Sequence, residues 1–234
     1  MSPRLELIFS CEHASRRIPP EWRASFRTSH SRLRSHEGYD IGALAVATDL
    51  SRRLAAPLLA APYSRLVADT NRSAHHPRVI GAELRSLPRR VRDDLLARYH
   101  RPHRETVAAA VAARLDDATL VLHVAVHTFT PIWEGVVRST DVGLLYDPQR
   151  PRERALVAEW QGILQDLFPG GKIRRNDPYR GRADGLTTTL RTRFPASAYL
   201  GVELELNQAW AGHARGRRRR VAAIATSLEA LLAR

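Results

Sequence analysis

A chain of 234 residues, 44% of them hydrophobic, is long enough for one α/β domain and too apolar for global disorder. Its single cysteine, Cys11, excludes an internal disulfide and a cysteine-built zinc site, and it fits a reducing cytoplasm, the compartment expected here. The net charge of +13 would suit nucleic acid or anionic metabolites, but Lys172 is the only lysine and the arginines are scattered, which reads as compositional bias rather than a binding face.

No apolar stretch is long enough to span a bilayer, and Glu6 interrupts the short apolar run near the N-terminus, so neither a membrane segment nor a signal sequence is expected. Leu5 to Cys11 reads as a first strand running into Glu12-His13 and a polar loop closed by Pro19 and Pro20. His36-Glu37-Gly38-Tyr39-Asp40 precedes a helical pattern that ends at Leu54, and Asp40 stands where an N-cap would. Pro57 to Ala61 reads as a second strand. Ser64 to Arg72 reads as a third, ending in polar residues. Asn71-Arg72 suits a plain turn, and it equally offers an amide and a planar guanidinium fork to one carboxylate. Pro88 to about Asp117 is helical, broken or kinked at Pro102. His100 and His103 lie at that break, where capping or solvent-facing roles outweigh ligation.

Leu120 to Val126 is a nearly continuous apolar run that ends at His127, before Thr-Phe-Thr-Pro131. Such a run marks a central parallel strand buried on both faces. His127 is then either a core histidine or part of a site beyond the strand's carboxyl end, where open α/β sheets gather their chemistry. Asp141 to Pro148 reads as a strand. Pro151 to Phe168 reads as a helix, with proline in its first turn and Pro-Gly-Gly after its end. Asn176 to Gly185 is a polar, glycine-rich loop containing Tyr179, Arg180 and Arg182. Leu186 to Phe194 is a short helix. Tyr199 to Gln208 is a strand whose alternation puts Glu203 and Glu205 on one face. Gly216 to Arg234 is a last helix, opened by the run Arg217 to Arg220, which reads as a solvated face. No repeat or linker interrupts the pattern. The expectation is one three-layer α/β domain over residues 1–234, a mostly parallel mixed sheet flanked by helices.

Several strand-like runs deliver polar residues at their ends: Glu12 and His13, Asn71 and Arg72, His127, Glu203 and Glu205. Two histidines and a carboxylate are the donor set of a catalytic zinc ion with one position open. A further glutamate suits general acid–base work on an attacking water. Asn and Arg suit a substrate carboxylate.

The chain resembles the N-formylglutamate amidohydrolase family along nearly its whole length. The resemblance rests on Ser-Cys-Glu-His-Ala-Ser with a following Ile-Pro, His-Glu-Gly-Tyr-Asp-Ile-Gly-Ala, Ser-Arg-Leu-Val-Ala-Asp-Thr-Asn-Arg, Tyr-His-Arg-Pro-His, Val-His-Thr-Phe-Thr-Pro, Asn-Asp-Pro-Tyr-Arg-Gly and Glu-Leu-Glu-Leu-Asn-Gln, in the family's order. It implies a fold similar to zinc carboxypeptidases, with Zn2+ or another divalent metal held by His13 and His127. Asp40 is implied as the third ligand, with Glu12 or Glu37 as the alternative. Glu205 would be the general base and Glu203 the second candidate. Asn71 and Arg72 would hold the substrate's α-carboxylate, with Arg65, Tyr179 and Arg191 in the substrate-binding set. Arg180 and Arg182 are further cations for a second carboxylate. The implied reaction is cleavage of a small anionic N-acyl amino acid, such as N-formyl-L-glutamate. A zinc carboxypeptidase or another deacylase is the neighbouring alternative. An arginine-rich nucleic-acid-binding domain is the non-enzymatic one, disfavoured because basic and aromatic residues are not interleaved.

Overall fold

The computed structural model describes residues 4–116 and 118–233, so the helix ends expected at Asp117 and Arg234 lie outside the described residues. Among the described residues eight strands form: β1 Arg4–Cys11, β2 Leu58–Ala60, β3 Thr119–Phe129, β4 Ile132–Trp133, β5 Val136–Val137, β6 Val142–Leu145, β7 Ile173–Arg175 and β8 Tyr199–Asn207. Six belong to one sheet in the order β2-β1-β3-β8-β6-β7, while β4 and β5 form a separate hairpin. β2, β1, β3 and β8 are mutually parallel, and β6 joins β8 antiparallel, so the sheet is mixed but mostly parallel.

The longer helices are α1 Ala43–Arg53, α2 Arg89–Leu95, α3 Arg101–Ala112, α4 Pro151–Leu167, α5 Leu186–Arg193 and α6 Ala214–Leu232. Every residue of β3 and of β8 is buried, as a strand covered on both faces requires. Leu122, Val124, Val126, Leu204 and Leu206 face one way and pack with residues of α1, α4 and α6. Val121, Ile8 and Tyr199 face the other way and pack with α3 and α5. That second face also receives His123, Ala125 and His127, because alternate residues of a strand share a side. The three-layer domain read from the sequence is therefore the one observed.

Local departures have physical causes. The segment from Ser64 to Arg72 is not a strand. Its backbone turns, with Val67 N–H donating to the Ser64 carbonyl at 2.9 Å and Arg72 N–H to that of Asp69 at 3.1 Å. Its apolar residues Leu66, Val67 and Ala68 are buried, but in a satellite cluster with Phe26, Val79, Leu84 and Leu95. The helical stretch is divided near Pro102, as expected. The proline stands in the first turn of α3, where its missing N–H costs nothing, and a π-helical turn, Leu96–His100, joins α2 to α3. His100 and His103, expected to cap or to face solvent, are both buried; His100 occupies the N-cap position of α3 without a side-chain capping bond. Asp40 does not cap α1, whose N-cap is Gly42 with φ 91°. No described helix is long and apolar enough to cross a membrane.

Candidate active site

Three elements of the parallel sheet end at one place. β1 delivers Glu12 and His13 just past its last residue, β3 carries His127 near its carboxyl end, and β8 sets Glu205 in register with His127. Asp40 is brought in by the segment before α1, and its N–H donates to the His13 carbonyl at 3.0 Å. His13, Asp40 and His127 are all buried, and one ligand atom from each lies within 4.8 Å of the others.

The hydrogen bonds show how these side chains are aimed. His13 Nε2 lies 2.7 Å from Asp69 Oδ1, while its Nδ1 lies 3.3 Å from Asp40 Oδ2. His127 Nε2 lies 3.0 Å from Glu12 Oε2, off the line of an ideal hydrogen bond, while its Nδ1 lies 2.9 Å from the same Asp40 oxygen. Each imidazole thus has a buried carboxylate behind it. That arrangement puts the proton on Nε2 and presents Nδ1 to the centre, as in carboxylate–histidine–metal sites. Glu12 is therefore behind the ring, not beside Asp40 as a third ligand. Glu37 is at the surface, paired with Arg32 at 2.8 Å.

Charge leads to the same place. Burial works against ionising Asp40, but His13 and His127 overcome it and hold its carboxyl well below the usual range. Burial likewise opposes ionisation of Asp69 and Glu12. Arg65 and His13 outweigh it at Asp69, and His103 and His127 outweigh it at Glu12. Three buried carboxylates, of which Arg65 can balance only one, leave room for two positive charges. Without a metal, the histidines in contact with these carboxylates can supply them. His13 is accordingly raised, against burial and Arg65, by Asp69 and Asp40; His127 is raised further, against burial, by Asp40 and Glu12. A single divalent ion between two neutral imidazoles and Asp40 would satisfy the same balance, so the donor set and its charge fit such an ion.

Around this centre lie the other expected residues. Glu205 is buried, with Oε2 lacking a hydrogen-bond partner, and burial pushes its carboxyl up to about 8. Glu203 is turned elsewhere. It accepts from Thr187 Oγ1 at 2.7 Å at the start of α5. Arg65 pairs with Asp69 at 2.8 Å and reaches Asp40 at 3.5 Å. Asn71 Oδ1 accepts from Leu186 N–H at 2.8 Å, which leaves its amide nitrogen free to donate elsewhere. The Arg72 carbonyl accepts from His100 at 2.8 Å and from Arg104 at 3.0 Å, so its backbone is fixed. The Arg72 guanidinium makes only long contacts, 3.8 Å to Asp69 and 3.4 Å to His76. Tyr179, partly exposed, comes near enough to the site that Glu205 adds to partial burial in raising its phenol. Gly143, opposite Glu205 in the register, permits this: a methyl there would collide with the Asp177 carbonyl of the Tyr179 loop.

Arg191 is not brought to the site. It is buried against Glu153 at 3.0 Å and donates to the Gly181 and Gly201 carbonyls at 2.6 and 2.7 Å, so its fork is spent on holding α5 to the sheet. Sequence reasoning missed Asp69 as the carboxylate behind His13, His103 as the partner of Glu12 at 3.6 Å, and Arg138 beside Tyr179. The Asp-Thr-Asn-Arg motif could have pointed to Asp69. The other two depend on tertiary contacts.

The family match gives the class: an amidohydrolase, its candidate site built at the carboxyl ends of a mostly parallel sheet. The chain belongs to the N-formylglutamate amidohydrolase family, whose model matches residues 5–211. It is similar to gene product Atu2144 from Agrobacterium tumefaciens, with 29% identity, a TM-score of 0.81 and coverage of 97% of this chain and 89% of that one. It shares its fold with N-formylglutamate amidohydrolase from Ralstonia eutropha JMP134, with 18% identity, a TM-score of 0.70 and coverage of 98% and 95%. A metallo-carboxypeptidase from Burkholderia cenocepacia follows at 13% identity and a TM-score of 0.46, with coverage of 99% of this chain and 58% of that one. No functionally curated protein matches the sequence significantly.

Proposed function

We propose that this chain is a metal-dependent, cytoplasmic amidohydrolase that cleaves a small anionic N-acyl amino acid, first of all N-formyl-L-glutamate, to formate and glutamate. The observation that carries the reading is the convergence of His13, Asp40 and His127 within 4.8 Å, with Glu205 in register beside His127. His13, Asp40 and His127 would hold a divalent ion such as Zn2+, which would supply Lewis acidity and a more acidic water near neutral pH.

The chain's own groups do the rest. Arg72, with a fixed backbone and a largely uncommitted guanidinium, receives the α-carboxylate, and the free amide of Asn71 donates beside it. Arg65 is paired with Asp69 and Asp40, and the N–H donors left over would serve the oxygen that becomes negative at the amide carbon. Glu205 takes a proton from the attacking water and returns it to the leaving nitrogen; burial above all lifts its carboxyl to about 8, and the charge of a bound divalent ion nearby would lower it, so that the base starts ionised. Tyr179, near the site, limits access of bulk water. The free, buried Cys11 fits the proposed compartment.

The test is formate release from N-formyl-L-glutamate by the Zn2+-supplied protein, beside a panel of other N-acyl amino acids and a C-terminal dipeptide. The reading expects turnover of the formyl compound, lost in His127→Ala, and a markedly higher KM in Arg72→Lys, which keeps charge but not the fork. Turnover of the dipeptide alone would favour a carboxypeptidase, and an unchanged KM would remove Arg72 from the clamp.

A further inference from the structure

An acidic N-acyl amino acid has two carboxylates, and the clamp at Asn71 and Arg72 accounts for one. Most arginines near the site already have other work. Arg65 serves Asp69 and Asp40, Arg191 serves Glu153, and Arg104 serves the Thr70 and Arg72 carbonyls. Arg182 lies 3.7 Å from Asp147.

Arg138 is different. It follows the β4–β5 hairpin, and no ion pair to a carboxylate forms there among the described residues. Its guanidinium lies 5.1 Å from the Trp133 ring centroid, 5.2 Å from that of Tyr179 and 5.9 Å from that of Phe129. Nη1 donates to the Tyr179 hydroxyl at 3.0 Å. The backbone is held as firmly: its N–H donates to the Pro131 carbonyl at 2.8 Å, and its carbonyl accepts from Asn207 Nδ2 at 3.1 Å. Three aromatic faces hold a guanidinium by cation–π attraction without neutralising it. Phe129 is the next residue on the site face of β3 after His127, roughly 7 Å along the strand. Asn207 bears the same relation to Glu205 on β8. A fixed, uncompensated cation therefore stands one strand repeat beyond the catalytic centre.

We propose that Arg138 is the specificity-determining residue of the site and reads a second anionic group, the side-chain carboxylate of an acidic N-acyl amino acid. This rests on the proposed reaction for its substrate class, but binding tests it without turnover. In Glu205→Gln protein supplied with Zn2+, calorimetry gives the affinities for N-formyl-L-glutamate and for N-formyl-L-glutamine, which keeps the α-carboxylate but has a neutral side-chain amide. A charge-assisted hydrogen bond predicts a preference for the acid of about 10–100-fold. Adding Arg138→Gln should abolish that preference and leave the affinity for the amide within about threefold. Arg138→Lys, which keeps the charge but not the planar stack, should retain part of it. A thermal melt of each variant checks folding. No preference in the parent, or a preference that survives Arg138→Gln, overturns the proposal. Formate release by the wild-type chain is read separately. Preference without hydrolysis would sink the reaction and keep Arg138's role, and hydrolysis with no preference would do the reverse.

Discussion

At the scale of single residues, the histidines of the site are held from behind, and this sets what each substitution does. Glu12→Gln and Asp69→Asn each remove a buried carboxylate from an imidazole Nε2. Each should weaken Zn2+ binding by about 10–100-fold, read by metal titration against a chelating dye, while leaving the three ligands in place. Unchanged affinity in both variants would remove them from the metal's support. Glu205→Gln should keep the metal and lose turnover by about 10²–10⁴-fold. Glu203→Gln should retain most of its kcat, because Glu203 is bonded to Thr187 and not turned toward the histidines; a collapse confined to Glu203→Gln would move the base by two residues. His13, His127 and Glu205 were legible because each sits at the carboxyl end of an apolar run. Asp40 was ambiguous between cap and ligand until its carboxylate was seen between two Nδ1 atoms. Arg191 was misjudged because nothing local in the chain shows that Glu153, 38 positions away, absorbs its charge.

At the scale of elements, β3 carries a second histidine with a different character. His123 is enclosed between Ser10 Oγ at 2.7 Å and the Tyr199 hydroxyl at 2.8 Å, and burial pushes it down to about 4. The folded chain keeps it neutral where an unfolded chain, with the ordinary value of 6.5, takes a proton. Folded stability from this residue is therefore complete above about pH 6.5 and is lost as the pH falls toward 4, by up to a few kcal/mol. Unfolding of the metal-free protein across that range should be less pH-dependent in His123→Gln than in wild type; parallel curves would exclude this cause. In β6, Gly143→Ala should push back the loop that carries Tyr179, raise KM and cost roughly 1–3 kcal/mol, measured by denaturant unfolding beside kinetics. The long buried strands were readable because burial on both faces demands unbroken apolar runs. Ser64 to Arg72 was not readable, since the same apolar triplet serves a turn over a satellite cluster. The hairpin of two-residue strands is too short to leave a period.

At the scale of the whole molecule, a charge of +13 would by itself invite a nucleic-acid reading. Intramolecular ion pairs, including Arg32 with Glu83, Arg98 with Glu21 and Arg193 with Glu105, engage individual arginines, but each pair consumes one charge of each sign and the net excess remains. Any retention on DNA should be sequence-independent and should fall away between about 50 and 200 mM salt; tight binding to one sequence at the higher salt would contradict this. Apart from the Arg191–Glu153 pair, a cluster of buried charge lies at the candidate site, where three carboxylates surround two histidines. The most direct test is metal content measured by elemental analysis in parallel with formate release from N-formyl-L-glutamate, as Zn2+ is removed with a chelator and then restored. Turnover should fall with occupancy, return with it, and reach its maximum near one ion per chain. Full turnover by metal-free protein, or by a chain with both His13 and His127 replaced by alanine, would contradict the account.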